Sequence, residues 1–481
     1  MSHVPLVRVL TFCAALAALL ACTAARATGT PLDFDDARHL LVRTGFGPTL
    51  AEAQALVGRS RAEAVDAILA GARSTPSIPP PAWTGTLPGR DERPRPGMTA
   101  DERKALRGRE RDALVELRGW WLTEMRDTPS PLTERMTLFW HGHFATGVQK
   151  VRDPRLMYVQ NALFRREALG NFARLLHAVA RDPAMLIWLD GGRNRAGAPN
   201  ENFAREVMEL FTLGEGHYTQ GDVTEAARAF TGFTVDRAGE RTLFRPRLHD
   251  DGAKTIFGAR AAFDADGAID AMLAQPQAAT FVVTKLWREF VSPEPDPAEV
   301  QPIADAFRAS HYEIKVALRA LLLSDAFWDA KNRGTLVKSP VDLVVGTLRI
   351  LAIDTADTRP IVASTTRMGE TLFAPPNVRG WPDGDAWISS ATLVARTAFV
   401  ARAMRVAMPA TGVDAKGVAM PAATAIDATG ASAPSAVAVN AWQHLLLPLP
   451  PVGQGVAEAA AERDSVAMIR AAMLDPVYQL K

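Results

Sequence analysis

The chain has 481 residues, 48% of them hydrophobic and 22% charged, enough to pack one large domain or two ordinary ones, and the composition excludes a disordered chain. A formal net charge of +1 removes the electrostatic case for nucleic acid or anionic lipid, so no nucleic-acid partner is expected.

The first element is a leader. Residues 1–9 carry His3 and Arg8 and no acid, 10–21 are a short apolar run, and Ala25-Arg26-Ala27 is a small-x-small cleavage site. That layout predicts a signal peptide over 1–27 and a periplasmic or secreted mature chain. The run is too short for a comfortable membrane span. Leu19-Leu20-Ala21-Cys22 resembles a lipobox and sets the alternative, a lipid anchor at Cys22. Cys13 and Cys22 both lie in this segment, so cleavage after Ala27 leaves no thiol or cysteine ligand. No later stretch is apolar enough to form a transmembrane helix in the mature chain.

Periodicity predicts a mostly α fold: a large, bundle-like single domain of many helices over 32–404 with a small β insertion. Residues 33–71 read as two helices about the Gly45-Phe46-Gly47-Pro48 turn. A proline-rich connector spans 74–96, and helices resume at Thr99. Ser130-Pro131, Asp182-Pro183 and Ser339-Pro340 read as helix starts, since proline loses nothing in a first turn. A hairpin is expected from 231–235 and 241–244, with 254–257 as a third strand. An Ala/Pro/Gly-rich linker over 405–455 precedes a C-terminal helical segment, 456–481, whose helix ends before Pro476.

Several ordered segments together carry a resemblance. They include His39-Leu40-Leu41 with Gly45-Phe46-Gly47, Pro131-Leu132-Thr133-Glu134-Arg135-Met136 running into Trp140-His141-Gly142-His143-Phe144, and Asp182-Pro183-Ala184-Met185. Then follow Pro199-Asn200-Glu201-Asn202-Phe203-Ala204-Arg205-Glu206, His249-Asp250, Lys338-Ser339-Pro340-Val341 and Pro375-Pro376-Asn377-Val378-Arg379-Gly380-Trp381-Pro382. The chain resembles the bacterial "domain of unknown function 1800" family over nearly its whole mature length. The resemblance implies export, and a co-encoded exported protein of sulfatase- or phosphatase-like type as a candidate partner. It assigns no residue a role. Phe233 stands where the family's tryptophan is expected, and Glu370 where glutamine is common.

The residues that could carry chemistry cluster in these motifs. A helix over 201–213, capped by Asn200 and closed by Gly214, places Phe203, Val207, Leu210 and Phe211 on its core face. Asn202, Arg205, Glu206 and Glu209 share the opposite stripe, either a solvated face of Glu/Arg pairs or the wall of a polar cleft. Two glutamates one turn apart suit acid–base work or a cation. Glu206, Glu209 and His141 are therefore the catalytic candidates, with Asn202, Arg205, His217, Arg379 and Trp381 as substrate-binding candidates.

His141-Gly142-His143 in an extended segment would point two imidazoles the same way, half of a divalent-metal site completed by Glu206, Glu209 or Asp250. The alternative is two imidazoles bonded to carbonyls in an aromatic core. His217-Tyr218 and His249-Asp250 could each orient a base or simply build turns. The 375–382 loop carries Arg379 and Trp381, with Trp387 soon after, an arrangement for stacking on sugars or clamping an anion. No nucleophile elbow, His-Glu-x-x-His helix or phosphate loop occurs.

Three functions fit. The leading one is an exported enzyme acting on an extracytoplasmic polymer such as a glycan through a Glu/His/Arg cleft. The others are a non-catalytic partner of the sulfatase-like protein, and a metal- or haem-dependent oxidative enzyme using His141 or His143.

Overall fold

The computed structural model describes residues 29–87, 89, 95–238, 240–407, 436–462 and 464–481, so the expected leader with Cys13 and Cys22 and much of the expected 405–455 linker lie outside the described residues. The fold is mostly helical with two small two-stranded sheets. None of the described helices is long and apolar enough to cross a membrane.

The Pro-marked starts open the Pro131–His143, Pro183–Trp188 and Pro340–Ile350 helices. Asp182 accepts from the Met185 N–H and Ser339 from that of Asp342, satisfying donors a first turn leaves unpaired. Residues 33–71 hold three helices rather than two: Phe34–Thr44, Leu50–Leu56 and Arg61–Ala70. Ser60 and Glu63 form a capping box that starts the third. In the expected linker, Ser390–Ala407 runs past residue 404 and Ala436–Leu446 is helical, with Leu445, Leu446 and Leu447 buried. The last segment divides into Gly455–Ala461 and Ser465–Leu474.

Strand β1 (Phe233–Asp236) pairs antiparallel with β2 (Arg241–Phe244), Phe233 opposite Phe244. β3 (Lys254–Ile256) does not join them; it pairs with β4 (Ala259–Ala261). Two carboxylates of the Gln220–Ala229 helix hold β3 away, Glu225 accepting from the Thr255 N–H at 3.0 Å and Asp222 from that of Phe257 at 2.7 Å. Phe257 and Gly258, at φ 49° and 79°, then turn the chain back on itself.

The hydrophobic residues form two cores. One gathers Phe34–Thr44 with helices between 131 and 328; the other joins Ala100–Asp127 to Pro340–Ile350, Ser390–Ala407 and the C-terminal helices. The Pro131–His143 helix serves both, sending Leu132, Met136 and Trp140 to the first and Leu138 to the second. Its Glu134 forms a two-pronged pair with Arg165, at 2.6 and 2.8 Å, and also accepts from the Trp121 indole at 2.8 Å. Both charges are only 1% exposed, so each needs the other.

Candidate functional site

Between the two cores lies a cavity of about 310 Å³. Its walls come from the Pro131–His143, Pro276–Phe290 and Pro340–Ile350 helices, the 379–387 segment and Lys481. That volume is at the small end of ligand sites.

One side is a buried ionic network. Arg135 bonds the Gly45 carbonyl and Asp342, and lies 3.2 Å from Glu289. Lys481 reaches Asp342 at 2.7 Å and Glu289 at 3.7 Å. Burial would raise the Asp342 carboxyl, but Arg135 and Lys481 outweigh it and hold Asp342 below the usual carboxylate range. The chain delivers Lys481 through a bridge between Val337 and Leu480, with the Lys481 N–H donating to Leu336 at 2.7 Å. Glu370, also in the wall, accepts from the Val341 N–H at 2.9 Å and is pushed by burial to about 7.

The other side is cationic. Lys285 donates to the Leu210 carbonyl at 2.9 Å, and burial followed by the charges of Arg288 and Arg379 brings its ammonium down to about 8. Lys285 and Arg288 both line the cavity, one turn apart on the same helix. His143 is 5% exposed and also lines it. Its Nε2 sits 3.0 Å from the Phe211 carbonyl oxygen, which can only accept. Nε2 therefore carries the hydrogen and Nδ1 is a bare acceptor. Burial, helped by the charge of Lys285, drives this imidazole far below its ordinary pKa, so it is neutral.

The 375–382 loop closes the cavity and couples it to the glutamates. Gly380, at φ 92°, lies so near the Gly142 carbonyl that a Cβ would come within 2.6 Å of its oxygen. Its neighbours Arg379 and Trp381 line the cavity. Arg379 is 3.3 Å from both Glu209 and Glu215, and the other Glu209 oxygen accepts from the Tyr218 hydroxyl at 2.9 Å. Burial, then the charge of Glu209, raises the Glu206 carboxyl, with Arg379 and Arg205 opposing.

The sequence candidates divide accordingly. His143, Arg379 and Trp381 line the cavity; Glu209 adjoins it through Arg379, with Glu206 beside Glu209. The expected 201–213 helix is α-helical only through Glu206 and continues as a π-helix over Val207–Thr212, a wider winding that ends the even stripe. Asn202 donates to the Leu189 carbonyl at 3.2 Å, and Arg205 pairs with Glu201 at 3.0 Å and Gln220 at 2.8 Å; neither lines the cavity. His217 is exposed on the turn after Gly216. Asp250 is held by Arg228 at 2.8 and 3.0 Å, and His249 by Thr231 at 3.0 Å, both within the local fold.

The histidine pair is a correction. The helix continues through His143, so the two imidazoles are not on one extended face. His141 sits among Trp121, Phe164, Phe373 and Trp381, pushed by burial to about 3, and does not line the cavity. Among the described residues no three His, Cys, Asp or Glu side chains group to hold a metal ion. Asp250, one expected completing ligand, is bound to Arg228.

Sequence reasoning missed Lys285, Arg288, Glu289, Asp342 and Lys481. Each stands inside or beside an ordinary amphipathic stretch with no motif spacing. One signal was available: charges at 285, 288 and 289, in a helix otherwise rich in Val, Leu, Trp and Phe.

The molecule is thus a helical protein with a charged, tryptophan-walled cavity between two cores. It belongs to the family described as protein of unknown function (DUF1800), whose model matches residues 39–480. Neither curated proteins nor solved structures give a match to the chain.

Proposed function

We propose that this is an exported enzyme acting on an extracytoplasmic polymer, a glycan, with Glu206 and Glu209 as its acid–base pair and Trp381 as the platform for a sugar ring. Export rests on the leader motif. The observation that carries the chemistry is one loop: Arg379 binds Glu209 and lines the cavity together with Trp381, while Gly380 between them packs on the Gly142 carbonyl.

Glycoside chemistry needs two carboxylates in unlike surroundings. Burial and the charge of Glu209 favour a proton on Glu206. Glu209 accepts from the Tyr218 hydroxyl and Arg379, the contacts of a carboxylate. The neutral His143 adds a cavity-lining imidazole whose Nδ1 has no hydrogen-bond partner of its own.

The test is Glu206→Gln in the mature chain, assayed for reducing-end release from a panel of polysaccharides. Turnover should fall by about 10²–10⁴-fold, the scale of a lost general acid or base, with the melting temperature unchanged. Full turnover in that variant, joined to co-purification with the sulfatase-like neighbour, would make the cleft a docking surface instead.

A further inference from the structure

The cavity's charges do not cancel evenly. Arg135 and Lys481 are matched by Asp342 and Glu289, all within 3.7 Å. Glu370 has its carboxyl raised by burial and spends one oxygen on the Val341 N–H. Arg379 is shared between two glutamates at the rim. Lys285 and Arg288 are left: among the described residues neither has a carboxylate within ion-pair distance, and Lys285 has only the Leu210 carbonyl and the face of the Phe281 ring, 4.9 Å away. Asp383, exposed and also in the lining, makes no ion pair with either.

The Lys285 ammonium, desolvated and one helical turn from the Arg288 guanidinium, has no carboxylate to balance it, and a bound anion would supply that counter-charge. A second observation points the same way. His143 Nδ1 and Trp381 Nε1 are buried atoms of cavity-lining residues with no hydrogen-bond partner. Buried polar groups are nearly always satisfied, so an unmet acceptor and an unmet donor in one wall mark it as shaped for a polar occupant that small side-chain shifts would let them reach.

We infer that the Lys285–Arg288 side of the cavity is an anion subsite, and that the glycan taken here carries a carboxylate, sulfate or phosphate on the unit that enters. This rests on the reading of the cleft as a glycan site. The anionic group lies against Lys285 and Arg288, and the ring stacks at Trp381. The volume of about 310 Å³ suits a terminal unit with its substituent rather than a long stretch of polymer.

Calorimetric titration of the mature chain tests this with oligogalacturonate, a sulfated galactan oligosaccharide and a neutral cello-oligosaccharide of equal length, and with inorganic sulfate and phosphate. One of the anionic sugars should bind at least ten-fold tighter than the neutral one and weaken with added NaCl. Arg288→Gln should cost that sugar at least ten-fold, as should Lys285→Gln, which keeps a donor for the Leu210 carbonyl. Arg288 is exposed, so its substitution reports on binding even if the lysine variant fails to fold. Equal binding of neutral and anionic sugars, or anionic binding unchanged in Arg288→Gln, overturns the subsite and leaves the glycan reading standing. Inorganic anions bound through Arg288 with no sugar preference keep the subsite and remove the glycan. No binding by any probe ends both.

Discussion

At the scale of single residues, Glu370 shows how burial and function separate. Its carboxyl rests on the Val341 N–H at the start of the Pro340–Ile350 helix, where a neutral amide oxygen would serve equally. Burial raises its pKa from 4.5 to about 7. The folded chain thus keeps a proton that the unfolded chain has already released across that interval. Stability should fall as pH rises through it and be lowest above about 7. Glu370→Gln should remove this slope and stabilise the protein at pH 8 by up to about 3 kcal/mol. Urea denaturation of both proteins at pH 5 and 8 measures it; a variant less stable at pH 8 would make the carboxylate a needed partner of Arg135. The two histidines of one motif separate in the same way. His143 has a fixed tautomer and a place on the cavity wall, whereas His141 is enclosed by aromatic rings.

At the scale of elements, the 375–382 loop is the joint between cavity and glutamates, and Gly380 is its fulcrum. The residue combines a left-handed backbone with contact against another backbone, so a side chain has no flexible neighbour to displace. Gly380→Ala should cost about 1–3 kcal/mol and shift the loop. The shift should appear as altered emission from Trp381 together with weaker ligand binding. A native spectrum and native binding would show the loop to be independent of Gly142. The π-helical turn over Val207–Thr212 is a second positioning device. Its Leu210 carbonyl receives Lys285 and its Phe211 carbonyl receives His143, so one irregular turn orients two cavity residues.

At the scale of the molecule, the ionic network ties together segments from both ends of the chain. Arg135 bonds Gly45 near the start, Asp342 in the second core is its partner, and Lys481 arrives from the other end. Asp342→Asn leaves two buried cations with only Glu289, and should cost about 3–5 kcal/mol, the scale for breaking a buried pair. Lys481→Met should cost less, because Arg135 still neutralises Asp342. Reversal of that order in denaturant midpoints would place the stabilising charge on Lys481.

The pattern of apolar residues determined by itself that the chain is helical, and proline with Ser or Asp before it marked where key helices begin. Those are local properties, set by periodicity and by the missing N–H of proline. Family membership was also legible, because many short motifs recur in order. What only the tertiary structure decided is which charges face each other. The 201–213 stripe divides at a π-turn, β3 leaves the hairpin for Asp222 and Glu225, and Lys285, Asp342 and Lys481 meet from segments that share no spacing. Helical periodicity places a side chain on a face but does not say what that face meets. The cavity forms where three helices, the 379–387 segment and Lys481 meet, each drawn from a different stretch of sequence.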